Sequence, residues 1–326
     1  MKRIFIILLI TVLFSSCSLL YQLISKAPVD GNIYVMDWEK EAVYKLDSLY
    51  NTELFFNTGA APSDLIIEGD EFIVSNSGLG GTPSIDIYTM EGTKKESFIP
   101  ADNSSPAGLF ADGEHIYAAL WGSSEVIVLD RETLDEVKRL DVPSAYSVFL
   151  MEGKLYVGTS TYSGDPSKYI YTFDIENWDR DSIETGNNPA FLGSDGGRIF
   201  VSCQGNAASL TTGSIHRIEN GEIVKSREFD SFPGRIECSD EGLLFVTNAF
   251  YSDTVLESNV IALDGEDLSI ESTYDMPSAS DSEQYNNKII VGTNSGEIYV
   301  IELSALTEFI SPDTDMNLKT GKIVVK

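Results

Sequence analysis

A short apolar pattern returns seven times along this chain at nearly even spacing, and that recurrence constrains the fold more than any other feature. Its copies are Asn32-Ile33-Tyr34-Val35, Glu71-Phe72-Ile73-Val74, His115-Ile116-Tyr117-Ala118, Lys154-Leu155-Tyr156-Val157, Arg198-Ile199-Phe200-Val201, Leu243-Leu244-Phe245-Val246 and Lys288-Ile289-Ile290-Val291. Their last residues step by 39, 44, 39, 44, 45 and 45. Leucine-rich and tetratricopeptide repeats are shorter, and the latter are helical; a period of about 40–45 residues made of short strands belongs to a propeller. An open stack would leave two end faces bare, whereas a closed ring covers both.

The unit is clearest at residues 105–143. A strand entered through Pro106 runs to an Asp-Gly turn at Asp112-Gly113, and a second strand follows at His115–Leu120. After a polar turn come a third strand at Glu125–Asp130, a polar hairpin and a fourth strand ending at Pro143. The run Val126-Ile127-Val128-Leu129 is apolar on both faces, which suits a sheet covered on both sides by other sheets. The expected fold is therefore all-β, a seven-bladed β-propeller of four-stranded antiparallel blades. Blade one begins at its second strand, because too little chain precedes Ile33 for an inner one. The β-branched segment Thr320-Gly321-Lys322-Ile323-Val324-Val325 is expected to supply the missing strand and close the ring.

These residues also carry a family resemblance. Phe245-Val246-Thr247-Asn248 and Phe72-Ile73-Val74-Ser75-Asn76, with the Pro-led first strand, the Asp-Gly or Glu-Gly turn and the Val-Ile-Val-Leu-Asp third strand, resemble the YVTN-type propeller repeats of bacterial surface-layer and cell-surface proteins. The likeness spans residues 31–310 and implies a fold rather than an activity, since the repeated residues build strands and turns.

Ahead of the repeats, Lys2 and Arg3 precede an uncharged apolar stretch, Ile4 to Phe14, and then Ser15-Ser16-Cys17. A basic start, an apolar core of about a dozen residues and small residues before the cut form a secretory signal. The Cys after Phe14-Ser15-Ser16 resembles the bacterial lipobox, with Phe14 in place of the commoner Leu. The resemblance implies a signal peptide over 1–16, a lipidated Cys17 with a tether over 17–30, and the propeller over 31–326. An uncleaved anchor is the other reading, since Ile4 to Ile24 is nearly all apolar and about 20 residues can span a bilayer. The expected address is the bacterial cell envelope, at the outer membrane or cell surface rather than the inner membrane, because Ser18 stands where some bacteria use an Asp for inner-membrane retention.

With 22 Lys and Arg against 51 Asp and Glu, the formal charge is -29. That field repels phosphate backbones and anionic headgroups, so nucleic acid is excluded as a partner and the lipid anchor is the expected contact with the membrane. A solvated, aggregation-resistant surface explains the acidity; attraction of cations or of a basic partner is the alternative. A monomer is expected. With Cys17 assigned to lipid, Cys203 and Cys238 fall toward opposite ends of antiparallel strands, and both are expected to be buried free thiols.

With strands lettered A to D outward from the axis, the A–B turns are short and uniform, whereas the B–C loops vary in length and content, which is where a scaffold carries its function. Trp38, Trp121, Tyr162, Phe250 and Tyr251 at these loops could form an aromatic rim, with Asn76, Gln204 and Asn206, and also Asn248 and Asn294, as hydrogen-bonding groups nearer the axis. The competing reading makes the amides caps of their own strand ends and the tryptophans fillers between blades. Cys203-Gln204-Gly205-Asn206 and the Gly-rich loop after Asn76 are similar to loops of cell-surface propeller lipoproteins, some of which capture corrinoids. Only two histidines exist, so a His-rich metal site is excluded and histidine bases are scarce. No cofactor is expected, calcium being the one left open, because Asn248, Asn294 and Asp253 could imitate the axial calcium ligands of propeller lactonases. Glu237, on an expected inner strand, could point into the channel.

The leading expectation is a lipid-anchored, non-catalytic binding protein that takes a small molecule, glycan or envelope protein on its B–C loop face. A divalent-cation-dependent hydrolase and a scaffold subunit of an envelope complex are the alternatives.

Overall fold

A computed structural model describes residues 32–47, 51–161, 164–206, 211–252, 255–303, 307–310 and 320–326. Every regular element among them is a β-strand. Blade one holds β1 (Ile33–Asp37), β2 (Ala42–Leu46) and β3 (Thr52–Asn57). Blade two is β4 (Pro62–Glu68), β5 (Glu71–Asn76), β6 (Ser84–Thr89) and β7 (Lys94–Phe98). Blade three is β8 (Pro106–Ala111), β9 (His115–Leu120), β10 (Glu125–Asp130) and β11 (Glu136–Asp141). Blade four is β12 (Ala145–Met151), β13 (Lys154–Thr159), β14 (Tyr169–Asp174) and β15 (Arg180–Glu184). Blade five is β16 (Pro189–Ser194), β17 (Ile199–Cys203), β18 (Ser214–Glu219) and β19 (Glu222–Glu228). Blade six is β20 (Phe232–Cys238), β21 (Leu243–Ser252), β22 (Val255–Asp264) and β23 (Ile270–Tyr274). Blade seven is β24 (Ala279–Tyr285), β25 (Lys288–Thr293), β26 (Ile298–Glu302) and β27 (Thr307–Ile310), and β28 (Thr320–Val325) follows.

The seven tetrapeptides of the sequence pattern are the second strands of seven four-stranded antiparallel sheets. As expected, β28 is the inner strand of blade one: it pairs with β1 from Ile33↔Val325 to Met36↔Lys322. Side by side around the axis run β28, β4, β8, β12, β16, β20 and β24, and β24 packs back against β28. The chain is an all-β, seven-bladed propeller closed by its C-terminal strand. Second strands are buried on both faces, and seven apolar clusters fill the clefts between neighbouring blades. Outer strands such as β7 are mostly exposed.

Two recurring turns set the geometry. At the C–D corner, Asp130 Oδ1 accepts hydrogen bonds from the Glu132 and Thr133 amides, and Leu134 follows with a φ of 56°. The same device returns at Asp174 with Trp178 and at Asp264 with Leu268. At the entry to the inner strands, Ala61, Ser105, Ser144, Asn188 and Ser278 take positive φ. Their carbonyls accept the amides of Ser77, Trp121, Ser160, Gln204 and Asn294, so the first residue of each of these B–C loops is latched to the neighbouring A strand. Most inner strands then carry a one- or two-residue irregularity, as between Pro62 and Asp64 or Pro106 and Leu109.

The two free thiols lie on blades five and six. Cys203 is fully buried, and burial pushes its thiol up to about 11. Cys238 departs from expectation: it is only half-buried, at the end of β20, where it packs against the apolar cluster between blades five and six and also borders the central cavity.

Candidate functional site

The pairing registers align the inner strands. Leu65, Leu109, Val148, Leu192, Ile236, Ser282 and Ile323 all stand opposite the last residue of the seven-fold pattern. The residues just before them form one layer around the axis: Asp64, Gly108, Ser147, Phe191, Arg235, Asp281 and Lys322. The residues just after them form the next: Ile66, Phe110, Phe149, Gly193, Glu237, Glu283 and Val324. Blades three to five therefore present small and aromatic groups. Blades six, seven, one and two hold the charges. At Gly108 no side chain fits, because a Cβ there would lie 2.7 Å from Ser147 Cα and 2.8 Å from the Tyr146 carbonyl.

A cavity of about 540 Å³ opens from the B–C face into this channel. Leu79 and Trp121 stand at its mouth, and Glu237 and Cys238 lie deep within it. Its aromatic wall includes Phe110 and Phe149, with ring centroids 5.2 Å apart, and Tyr146 edge-on to Phe191 at 5.6 Å. Arg235 lies over Phe191, 5.3 Å from the ring centroid, and reaches Asp281 on blade seven at 3.4 Å and Asp64 on blade two at 3.9 Å. A side chain from blade six that meets carboxylates of blades seven and two has its guanidinium across the axis. Lys322 on blade one stands 3.6 Å from Asp281.

The carboxylates have a structural task of their own. An inner strand turns one row of N–H groups toward the axis with no further strand to receive them. Asp64 Oδ2 accepts the Leu109 amide at 2.9 Å, and Asp281 Oδ2 accepts the Ile323 amide at 2.8 Å. In the next layer, Glu237 Oε1 accepts the Gln284 amide at 3.0 Å. Glu237 and Glu283 are both raised above the ordinary carboxylate range, chiefly by loss of solvent and, for Glu237, by the negative charge of Glu283.

The sequence-derived candidates are placed as follows. Trp121 lines the cavity, half-buried, and its indole N–H donates to the Ser160 carbonyl at 2.7 Å, tying the B–C loops of blades three and four together. Asn76 is fully buried; its amide donates to Ser84 at 3.0 Å and Asp86 at 3.1 Å, so it secures blade two from within. The loop that follows it brings Leu79 to the cavity, 84% exposed, after a tight bend at Gly78 whose φ is 76°. Trp38 is exposed on blade one, Gln204 and Asn206 are half-buried in the loop of blade five, and Phe250 sits on the long β21–β22 hairpin. None of these four is among the residues lining the cavity. Tyr251 lies at the outer end of β21, and Cys17 and Tyr162 lie outside the described residues. The aromatic wall of the inner strands, and the charges of Asp64, Arg235, Asp281 and Lys322, were not singled out from sequence. The signal was a charged residue in an alignment column of the first strands.

Other groups bear on the chemistry. His216 is buried within blade five: the Gly186 amide donates to its Nε2 at 3.2 Å, which places the ring proton on Nδ1, toward Ser226 Oγ at 2.8 Å. Burial lowers its pKa, and it is a satisfied core residue far from the cavity lining. Of the possible calcium ligands, Asn248 gives its amide to Asn259 at 3.0 Å, Asn294 is exposed, and Asp253 lies outside the described residues. Among the described residues no group of three or more His, Cys, Asp or Glu side chains is arranged to hold a metal ion. In the channel, Arg235 and Lys322 occupy the space between the carboxylates.

No protein-family model matches the chain, and no curated protein matches it at a significant level. Solved structures do. A functionally unknown protein from Desulfotomaculum acetoxidans is 13% identical at a TM-score of 0.65, over 91% of this chain and 99% of that one. Hydrazine synthase from Kuenenia stuttgartiensis is 15% identical at 0.63, over 79% and 81%. Hsv2 from Kluyveromyces lactis is 14% identical at 0.52, over 74% of each chain. Likeness at these identities speaks for architecture alone, and with the seven closed blades it identifies the chain as a seven-bladed β-propeller.

Proposed function

We propose that this chain is a lipid-anchored, extracytoplasmic binding protein, without catalysis of its own, that captures a small molecule in the axial cavity at its B–C loop face. The observation that carries the reading is the cavity: about 540 Å³, with aromatic residues on one side and fixed charges on the other. That size lies within the range of small-molecule sites, which pair apolar walls with a few placed polar groups. The chain's membership among YVTN-type surface propellers, its export and the lipid on Cys17 rest on the sequence signals given above. Both histidines are absent from the cavity lining, and the channel carboxylates are engaged by backbone amides and cations, which favours binding over hydrolysis.

The test is thermal unfolding of the full chain with calcium, with chelator, and against a panel of cofactors and oligosaccharides. A ligand at about 100 times its Kd adds about 2.7 kcal/mol, which such a scan resolves. A shift with a panel member that vanishes in Trp121→Ala supports capture at this face. A shift with calcium alone would replace it with the metal-dependent hydrolase, and no shift at all would favour a protein partner. Anchoring is checked separately, by incorporation of labelled fatty acid into the wild-type chain and its loss in Cys17→Ser.

A further inference from the structure

We propose that the ligand of this cavity carries a single carboxylate on a planar apolar body, the carboxylate being received by Arg235 and Lys322 at the axis. This rests on the reading of the cavity as a binding site.

Of the four charges in the axial layer, two are accounted for by the fold and two are not. Asp64 and Asp281 accept the exposed-edge amides of β8 and β28. Arg235 and Lys322 satisfy no backbone group: among the described residues their contacts are the ion pairs with Asp64 and Asp281, at 3.4 to 3.9 Å, and the face of Phe191. Neither the guanidinium nor the ammonium donates a hydrogen bond within the described residues, although Arg offers five N–H donors and Lys three. Both side chains keep some exposure, 24% and 17%, and both line the cavity. Two cations whose donors are open to the cavity and unspent on the fold are placed to receive an acceptor brought from outside.

The chemistry of that acceptor follows from its surroundings. A planar guanidinium fork matches a carboxylate in two parallel hydrogen bonds, and Lys322 adds a point charge beside it. The axial layer is balanced at two cations and two anions, and Glu237 and Glu283 of the next layer, both raised by burial, act on Lys322 as well. At most one added negative charge is therefore tolerable, whereas a phosphate dianion would face these carboxyls and the strongly acidic protein without compensation. Arg235 rests on Phe191, and Phe191 continues to Tyr146, so a flat group attached to the carboxylate meets aromatic surface on its way out toward Trp121.

Three indole probes of similar size separate the possibilities: indole-3-acetate, tryptophol and tryptamine, each titrated calorimetrically into the full chain at neutral pH. The expected result is that indole-3-acetate binds about tenfold or more tighter than tryptophol, as a charge-assisted bidentate contact provides, with tryptamine weakest. Arg235→Lys and Lys322→Met should each narrow that preference, and the wild-type ranking stands as a test even if a variant folds poorly. Equal binding of acetate and alcohol, or tighter binding of the amine, with all binding lost in Trp121→Ala, would overturn the carboxylate while leaving the cavity reading intact. A preference for the acetate that neither variant changes would overturn the assignment to Arg235 and Lys322. Failure of all three probes to bind would overturn the proposal, while a shift with a panel member that vanishes in Trp121→Ala would leave the cavity reading standing.

Discussion

The two sides of the channel are built from the same strand in the same register, yet they are held together by different physics. On blades three to five the axial layer is Gly108, Ser147 and Phe191, and the neighbouring layer brings Phe110 and Phe149 into edge-on contact. Contact there is mainly apolar, with the Ser147 hydroxyl donating to the Ala190 carbonyl at 2.7 Å, and close approach of β8 to β12 requires a glycine. On blades six, seven, one and two the same positions are Arg235, Asp281, Lys322 and Asp64, and carboxylates from this side accept inner-edge amides of the following blade, at Gln284 of blade seven, Ile323 of blade one and Leu109 of blade three. The apolar side tolerates loss of a group in proportion to area. On the charged side, loss of one member strands the others.

The sharpest break of this contrast is removal of residues 320–326. That deletion takes Lys322 from the axis, leaves the Asp281 carboxylate without its amide partner and bares the inner edge of β1. Several kcal/mol at about 2–4 °C each predicts a fall in melting temperature of about 10 °C or more. An unchanged midpoint would refute the ring closure. Next comes Asp281→Ala, which leaves Lys322 and the Ile323 amide unpartnered and Arg235 with only its longer pair to Asp64, and should cost on the order of 3 kcal/mol in chemical denaturation. Asp281→Asn, which keeps an acceptor, should recover part of that loss. Phe191→Ala on the opposite side should cost less, about 2 kcal/mol, because it removes area and strands no ion. If the two alanine variants were equal, the distinction between the sides would fail.

A gentler probe is Glu237→Gln. The carboxyl is raised in the folded chain, so the unfolded chain releases its proton first, near the ordinary 4.5, and stability is lost as pH climbs from there through the folded value. The glutamine variant should therefore match wild type in acid and exceed it increasingly toward alkaline pH in thermal scans. A constant offset across pH would argue against a raised carboxyl. Smallest in stability is Trp121→Ala, which forfeits one hydrogen bond to Ser160 and should stay within about 1 kcal/mol of wild type while binding is lost. A large stability loss with binding retained would make Trp121 core.

The blades themselves could be read from the sequence, because apolar second strands and Gly-containing turns recur at a fixed period and each is locally determined. The C–D corner was less visible: its left-handed residue is Leu134, Trp178 or Leu268, where glycine is the usual signal, and here the preceding Asp and a buried or half-buried apolar side chain hold the turn instead. Cavity residues were harder still. The irregularity at the start of the inner strands shifts which side chains face the axis, and Asp64, Arg235, Asp281 and Lys322 meet only when the ring closes over more than 250 residues. Trp121 was found because it opens a B–C loop, the position latched to the inner strand. Asn76, one position earlier on β5, is drawn under the surface by Asp86.

The most direct measurement is a fluorescence titration of the full chain with any ligand that raises its melting temperature, repeated in Trp121→Phe. Tryptophan is confined to Trp38, Trp121 and Trp178, and of these Trp121 alone lines the cavity. Capture at the channel mouth predicts a saturable change in emission that disappears in Trp121→Phe while Trp38→Phe retains it. A ligand that stabilises the chain but leaves Trp121 emission unchanged would place binding elsewhere and end the case for the axial cavity.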